Sequence, residues 1–195
     1  NTMTKTRNKL KIMGLVLALV MMVSLLGLFS LTASAAAAAD FTVTIDTGES
    51  VTLKDTDADG YYDIGTADEL YAFAAAVNSE NTDINGELTA NIVVNENVLT
   101  ADGTLNGDGS TFRAWTPIGN EEFQFYSTFD GDGHTVSGLY FNNSYTGEVG
   151  LFGSLGTSAT IQDVRLVNSY ILGQQKVGGI VGNNGSAGKI TNCYN

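Results

Sequence analysis

The chain is poor in cysteine and histidine, the residues that most often form disulfides and metal sites. Its 195 residues include one cysteine, Cys193, and one histidine, His134. A single cysteine cannot close an internal disulfide, so the fold must be held together by a packed core. His134 follows Asp130 and Asp132 in a glycine-rich segment, where such residues commonly make the local hydrogen bonds of a tight turn. No further metal ligand is identifiable beside them, so this segment predicts a turn and not a metal site.

Basic residues are scarce and unevenly placed. The chain has nine Lys and Arg against 21 Asp and Glu, a net charge of −12. Four of the nine precede residue 12, so residues 40–195 carry five basic residues against all 21 acidic ones, a net charge of −16. Nucleic-acid binding needs a basic surface, and anionic membrane surfaces attract basic segments. The composition therefore excludes both as partners of the folded region.

Residues 1–39 are predicted to be a signal peptide. Basic residues precede an apolar run from Ile12 to Leu31, and Ala33-Ser34-Ala35 has the small-residue pattern that a signal peptidase cleaves. The apolar run is long enough to span a bilayer, so an uncleaved N-terminal anchor is the alternative. Whether or not the segment is cleaved, the basic residues before residue 12 stay on the cytoplasmic side of the membrane. The rest of the chain is therefore expected to be secreted or at the cell surface, with membrane contact only through this segment.

An internal repeat dominates the C-terminal part. Shifting the chain against itself by 29 residues superposes two copies of one segment. The matched residues are Gly150-Leu151-Phe152-Gly153 with Gly179-Ile180-Val181-Gly182, Ile161 with Ile190, Asp163 with Asn192, and Val164 with Cys193. The sequence stops inside the second copy, so we expect a longer protein.

Apolar residues within each copy are spaced three and then two positions apart. A weaker, earlier copy with this spacing is predicted to match Val136, Gly138, Leu139 and Phe141 with Ile161, Asp163, Val164 and Leu166. A step of two is strand alternation, and a step of three requires a bend. Gly138, Asp163 and Asn192 precede the second apolar position, and these residue types tolerate the left-handed backbone of a tight corner. Each copy therefore predicts a strand, a corner and a strand.

A leucine-rich repeat is the main competing fold, since Ile161-x-x-Val164-x-Leu166 fits its opening pattern. That fold usually follows its strand with a helix or a helical turn. Here the connecting segments 147–153 and 178–185 are rich in glycine. Each glycine inside a helix costs ~1 kcal/mol relative to alanine. Strands and turns are therefore predicted throughout the repeats.

The two Gly-x-x-Gly segments, Gly150–Gly153 and Gly179–Gly182, resemble the GLUG motif of exported bacterial surface proteins. The segment 115–139 is similar to the sequence that leads into such repeats, and Ile190-Thr-Asn-Cys-Tyr194 is similar to their closing phrase. The resemblance covers residues 115–195. It implies a right-handed parallel β-helix, an all-β solenoid, in a large cell-surface or secreted protein that is often adhesive. It implies no single reaction.

Residues 40–114 are predicted to be an N-terminal cap and the first strands of the solenoid. Alternating apolar residues on either side of Asp46–Glu49 predict a β-hairpin. Thr66-Ala-Asp-Glu69 has the pattern of a capping box, and an apolar stripe from Leu70 to Val77 predicts a short helix after it. We expect this helix to cover the open end of the core, since an exposed β edge recruits other chains. Leu88 and Ile92–Val94 then predict the first repeat strands.

One segment predicts a structural calcium site. Asp55, Asp57, Asp59 and Asp63 occupy the first, third, fifth and ninth positions of a loop with glycine at the sixth, which resembles an EF-hand or dockerin-type loop. The twelfth position is Thr66 and not the expected bidentate glutamate. The alternative is therefore a solvated acidic turn.

No cluster of catalytic residues is evident, so the sequence predicts no enzyme and no other cofactor. We expect a structural or adhesive module that binds an extracellular glycan or protein, or that acts as a stalk. The alternative is the N-terminal part of a carbohydrate-active β-helix enzyme, a polysaccharide lyase or a glycoside hydrolase. Glycoside hydrolysis needs two placed carboxylates, and residues beyond Asn195 could supply them.

Overall fold

A computed structural model describes residues 36–185 and 187–195. The predicted signal peptide lies outside these residues except for its last four positions. No helix among the described residues is long and apolar enough to cross a membrane. The described chain is rich in β structure, with one short helix and several parallel sheets.

The elements follow one another in a simple order. The first part consists of β1 (Phe41–Thr44), β2 (Ser50–Leu53), β3 (Tyr62–Ile64), α1 (Ala67–Val77), β4 (Gly86–Leu88) and β5 (Ile92–Val93). The second part consists of β6 (Thr128–Asp130), β7 (Thr135–Ser137), β8 (Tyr140–Asn142), β9 (Phe152–Ser154), β10 (Thr160–Gln162), β11 (Arg165–Val167), β12 (Tyr170–Leu172), β13 (Val181–Asn183) and β14 (Lys189–Thr191).

Strands β1 and β2 pair as an antiparallel hairpin, which confirms the prediction for this segment. The other strands form parallel sheets. One sheet has the order β14-β10-β6-β4-β3 and another the order β11-β7-β5. Two smaller sheets pair β12 with β8 and β13 with β9. The two strands of each parallel pair are separated along the chain by at least one other helix or strand.

The last two copies stack in the predicted register. Phe152 lies opposite Val181, and Ile161 lies opposite Ile190. The second glycine of each predicted motif has a steric reason. A Cβ on Gly153 would lie 2.4 Å from the Gly119 carbonyl oxygen, and a Cβ on Gly182 would lie 2.5 Å from a backbone nitrogen. The backbones approach too closely there for any larger residue.

The predicted register of the earlier copy was wrong. Ile161 lies opposite Phe129, and Val136 lies opposite Leu166. The spacing of Val136, Leu139 and Phe141 imitates the pattern of the next copy but belongs to different strand pairs. The repeat is also longer here, because partners in these strands are 30 to 32 residues apart.

The structure has two columns of corners where one was predicted. Asp163 and Asn192, with φ angles of 55° and 54°, share the first, and the Asn192 amide donates to the Asp163 carboxylate at 3.1 Å. In the earlier repeat this bend falls at Asp132, with φ of 44°. Gly138 was wrongly assigned to this column. It lies instead at a second bend, level with Asn168, because β8 pairs with β12 immediately after it.

Helix α1 packs between the hairpin and an aromatic core. Phe73 lies 5.5 Å, centroid to centroid, from the Phe129 ring, which in turn lies 5.2 Å from that of Phe152. The predicted cap is present, since the Thr66 hydroxyl accepts from the Glu69 amide at 3.2 Å. The Glu69 carboxylate reaches one residue further back than in the usual capping box, to the Gly65 amide at 2.9 Å.

Arg113 links the β1–β2 hairpin to helix α1 through two ion pairs. Its guanidinium pairs with Asp46 in the hairpin turn at 2.5 Å and with Asp68 in the first turn of α1 at 2.6 Å. It also lies 3.6 Å from the centroid of the Tyr71 ring. Two residues later Trp115 is buried, and its indole N–H donates to the Gly150 carbonyl at 3.0 Å.

Candidate functional site

The predicted calcium loop is an acidic turn between β2 and β3. The Asp55 carboxylate accepts from the backbone amides of Ala38 at 2.8 Å, Gly60 at 2.9 Å and Asp59 at 3.1 Å. These donors, with Ala38 the strongest, hold the pKa of Asp55 below its ordinary value. The turn is therefore organised by its own backbone.

The structure brings together three of the four predicted ligands. Carboxylate oxygens of Asp55, Asp57 and Asp59 lie within 4.8 Å of one another. Asp63 is not part of this group. It lies in β3, where its carboxylate accepts from the Thr56 amide at 2.7 Å. Calcium usually takes six to eight oxygen ligands, so this group is at most a partial shell. Calcium binding stays a prediction.

Sequence reasoning missed an acidic column on the adjoining sheet. Asp63 in β3 lies opposite Glu87 in β4, and Glu87 lies opposite Asp130 in β6. Burial raises the pKa of Glu87 to about 7, and the negative charges of Asp59, Asp57, Asp63 and Asp130 add to the effect. Gln162 in β10 stabilises the negative charge of Asp130, the last acidic residue of the column, by donating to its carboxylate at 2.5 Å. The column was missed because β3 was not predicted as a strand.

A second polar site lies where two repeats turn toward β9 and β13. Glu148 and Lys176 have left-handed backbones, with φ of 57° and 51°. The Lys176 ammonium contacts the Glu148 Oε1 atom at 2.6 Å, and the Asn183 amide donates to the same oxygen at 3.0 Å. The other oxygen, Oε2, is buried and has no hydrogen-bond partner among the described residues.

This ion pair lies in a cleft of about 770 Å³, which we call the corner cleft. The segments 116–122 and 141–149 and the residues Gln175 and Lys176 line most of it. Asn78, at the end of α1, fixes one wall by donating to the Pro117 carbonyl at 2.9 Å and accepting from the Gly119 amide at 3.0 Å. The cleft is therefore built on the helix and on two successive repeats.

Polar and aromatic side chains surround the ion pair. The Tyr145 side chain is 87% exposed, and Glu121 and Glu122 are exposed on the facing segment. Gln175 and Asn143 carry exposed amide groups. Such a surface can bind a ligand through hydrogen bonds and through contact with one aromatic face.

A smaller cavity of about 460 Å³ lies beside β11 and β12. Leu99, Leu166 and Ile171 contribute apolar side chains to it, and Asn168 and Asn195 contribute amides. The described residues that line this cavity include no titratable side chain, so it offers less chemistry than the corner cleft.

The fold and the sites define a β-rich protein with stacked parallel strands and a polar cleft. No family model and no solved structure matches the chain. It is 33% identical over 176 residues to Halomucin from Haloquadratum walsbyi, a match that covers 84% of this chain and 2% of that protein. It is 30% identical over 73 residues to a putative Gly-rich membrane protein from Evansella cellulosilytica, covering 36% of this chain and 8% of that protein. The chain thus spans a small part of the length of these relatives.

Proposed function

We propose that the chain is part of an exported cell-surface or secreted protein with a structural or adhesive role. The predicted signal peptide supports export. The names of the two relatives, Halomucin and a Gly-rich membrane protein, fit a location at the cell surface. The strongly acidic composition suits an exported protein that must stay soluble.

We further propose that the repeats form a right-handed parallel β-helix. The observation that carries this proposal is the parallel register from repeat to repeat. The sheet β14-β10-β6-β4-β3 joins five strands in one direction, and β11-β7-β5 follows a second line beside it. Coils that lie on one another in this way make a stiff rod. Such a rod can hold a binding surface away from the cell or present one along its length.

Export is tested on intact bacterial cells that express the full chain. Externally added protease should digest the folded region without lysis. The control is a double variant, Leu19→Arg and Leu25→Arg, which interrupts the apolar run and leaves residues 40–195 unchanged. We expect the variant to stay inside and to be protected. Protection of the original chain would overturn the proposed location.

The non-catalytic role has its own test. The full chain is incubated with uncharged and uronate-containing polysaccharides, and newly formed reducing ends are measured. We expect none above the level of a heat-unfolded sample. Cleavage of any of these polymers would favour the enzyme alternative.

A further inference from the structure

The Glu148–Lys176 pair joins two successive repeats at the base of the corner cleft, and the polar groups around it remain exposed to solvent. We propose that the corner cleft binds a short stretch of an uncharged polysaccharide, with the Glu148–Lys176 pair at its base and Tyr145 on its rim. This inference rests on the proposed function, because it gives an adhesive module its ligand class and its binding residues. Four properties of the cleft support it.

The first property is the residue type at the corner. Elsewhere in the repeats the left-handed positions carry Asp, Asn or Gly, as at Asp163, Asn168 and Gly138. These types adopt that backbone most readily. Glu148 and Lys176 occupy the equivalent corner in two successive repeats although neither type is favoured there. Unfavourable backbone conformations of this kind cluster at binding sites, where side-chain chemistry outweighs backbone preference.

The second property is unused hydrogen-bonding capacity. The Glu148 side chain is only 15% exposed, and its Oε2 atom is buried without a hydrogen-bond partner among the described residues. A buried carboxylate oxygen normally has a donor. The Lys176 side chain, which contacts Oε1, is half exposed, so a rearrangement of this ion pair would present a carboxylate oxygen of Glu148 to the cleft. A sugar hydroxyl could then donate to it.

The third property is the exposed aromatic ring. Tyr145 is 87% exposed, in a turn held by the Asn143 carboxamide, which accepts from the Tyr145 amide at 3.0 Å. A ring presented by a fixed turn loses little conformational entropy when it binds a ligand. Its apolar face suits the C–H face of a pyranose, while the neighbouring amides of Gln175 and Asn143 offer donors and acceptors to hydroxyls.

The fourth property is charge. Among the described residues that line the cleft, Lys176 is the one basic residue and is already paired with Glu148, whereas Glu121 and Glu122 add two exposed carboxylates. An acidic polysaccharide would be repelled by this surface. A basic peptide would be attracted, but the exposed amides and the aromatic face favour a polyhydroxylated ligand over a simple cation. The volume of about 770 Å³ lies within the ordinary range of ligand sites.

The test is calorimetric titration of the full chain with uncharged hexasaccharides, namely cellohexaose, mannohexaose and N-acetylchitohexaose. Hexagalacturonate and hexalysine serve as charged comparison ligands. We expect binding of at least one uncharged hexasaccharide, weakened at least tenfold by Tyr145→Ala and at least fivefold by Glu148→Gln. Tyr194→Ala is the matched control, because this tyrosine is also exposed but lies outside the cleft. Its affinity should equal that of the original chain.

Tyr145 contributes little to the core, so its replacement should leave the melting temperature unchanged, and a loss of binding then reports on the cleft. The inference is overturned if no uncharged hexasaccharide binds, if a charged ligand binds more tightly, or if Tyr145→Ala binds like the original chain. Export is measured separately on cells. A chain that is exported but fails to bind contradicts this inference alone, whereas a chain that stays inside contradicts the proposed function.

Discussion

Two regions of the parallel sheets differ in how deeply one column of residues is buried. Next to helix α1, Phe129 is fully buried and packs against Phe73. Ile161, one repeat further on, is also fully buried. Ile190 occupies the same column in the last described repeat but is 43% exposed. Burial at this one position therefore falls from β6 and β10 to β14 among the described strands.

This difference shows how stability is distributed in a stacked fold. Parallel pairing places apolar residues of neighbouring layers against one another, so we expect the fully buried layers to carry most of the stabilisation. Among the described strands, β14 is the most exposed and is expected to open most easily in the 195-residue chain. Matched substitutions at the same position in different layers measure this gradient directly.

The largest expected effect is at the centre of the aromatic core. Phe129→Ala should lower the free energy of unfolding by about 3–5 kcal/mol, because it leaves a cavity between two other rings. Ile190→Ala, in the same column, should cost less than about 1 kcal/mol because its side chain is already partly in water. Urea unfolding followed by circular dichroism measures both. Equal losses would contradict the layered distribution of stability.

The next effect compares two corners. A Cβ on Gly138 would lie 1.9 Å from the Asn95 carbonyl oxygen, and the residue has φ of 75°. Gly138→Val should therefore destabilise the chain by roughly 2–4 kcal/mol through both overpacking and backbone strain. Asn192→Val meets the backbone strain and loses one exposed hydrogen bond to Asp163, but no overpacking, so we expect a cost of about 1–2 kcal/mol. Thermal melting distinguishes them, and the reverse order would mean that the corner at Gly138 is misassigned.

A smaller effect comes from the acidic column of Asp63, Glu87 and Asp130. Burial raises the pKa of Glu87 to about 7, above the ordinary value of about 4.5 for a glutamate, so the folded state holds this proton more tightly than the unfolded chain. The resulting contribution to stability is present below about pH 4.5 and is lost as the pH rises through 7. Glu87→Gln should therefore melt higher than the original chain at pH 8, with the difference narrowing toward pH 4.5.

Glu96→Gln is the control for this pH series, since Glu96 is exposed and lies outside the column. Its melting temperature should follow that of the original chain at every pH. A Glu87→Gln variant that gains nothing at pH 8 would mean that the column is relaxed by solvent or by cations.

Sequence reasoning predicted the parts of the fold that follow from a regular pattern of residues. The hairpin, the capped helix and the pairing of Ile161 with Ile190 all follow from alternation, a capping pattern or an ungapped repeat. The polar cleft did not. A uniform shift of 29 residues places Glu148 opposite Val177, whereas the structure pairs Val149 with Val177.

The repeat is one residue shorter at that corner, and the difference is taken up by consecutive glycines before β13. The contact between Glu148 and Lys176, 28 residues apart, therefore does not appear in the alignment. The strand β3 was missed for a related reason, because its three residues lie inside a segment with the pattern of a metal-binding loop. Irregularities of one to three residues hide contacts between layers even where the repeat itself is plain.

The smallest expected effect concerns the acidic turn that precedes β3. If the grouped carboxylates of Asp55, Asp57 and Asp59 bind calcium with millimolar affinity, 1 mM calcium should stabilise the fold by only about 0.4 kcal/mol. Differential scanning calorimetry should show this as a small rise in melting temperature that sodium at equal ionic strength does not reproduce. Asp57→Asn should abolish the rise, while Asp63→Asn should retain it, because Asp63 accepts from a backbone amide outside the group. An equal loss in both variants would indicate that the acidic residues around this turn attract cations without forming a defined coordination shell. The turn would then serve only to connect β2 with β3.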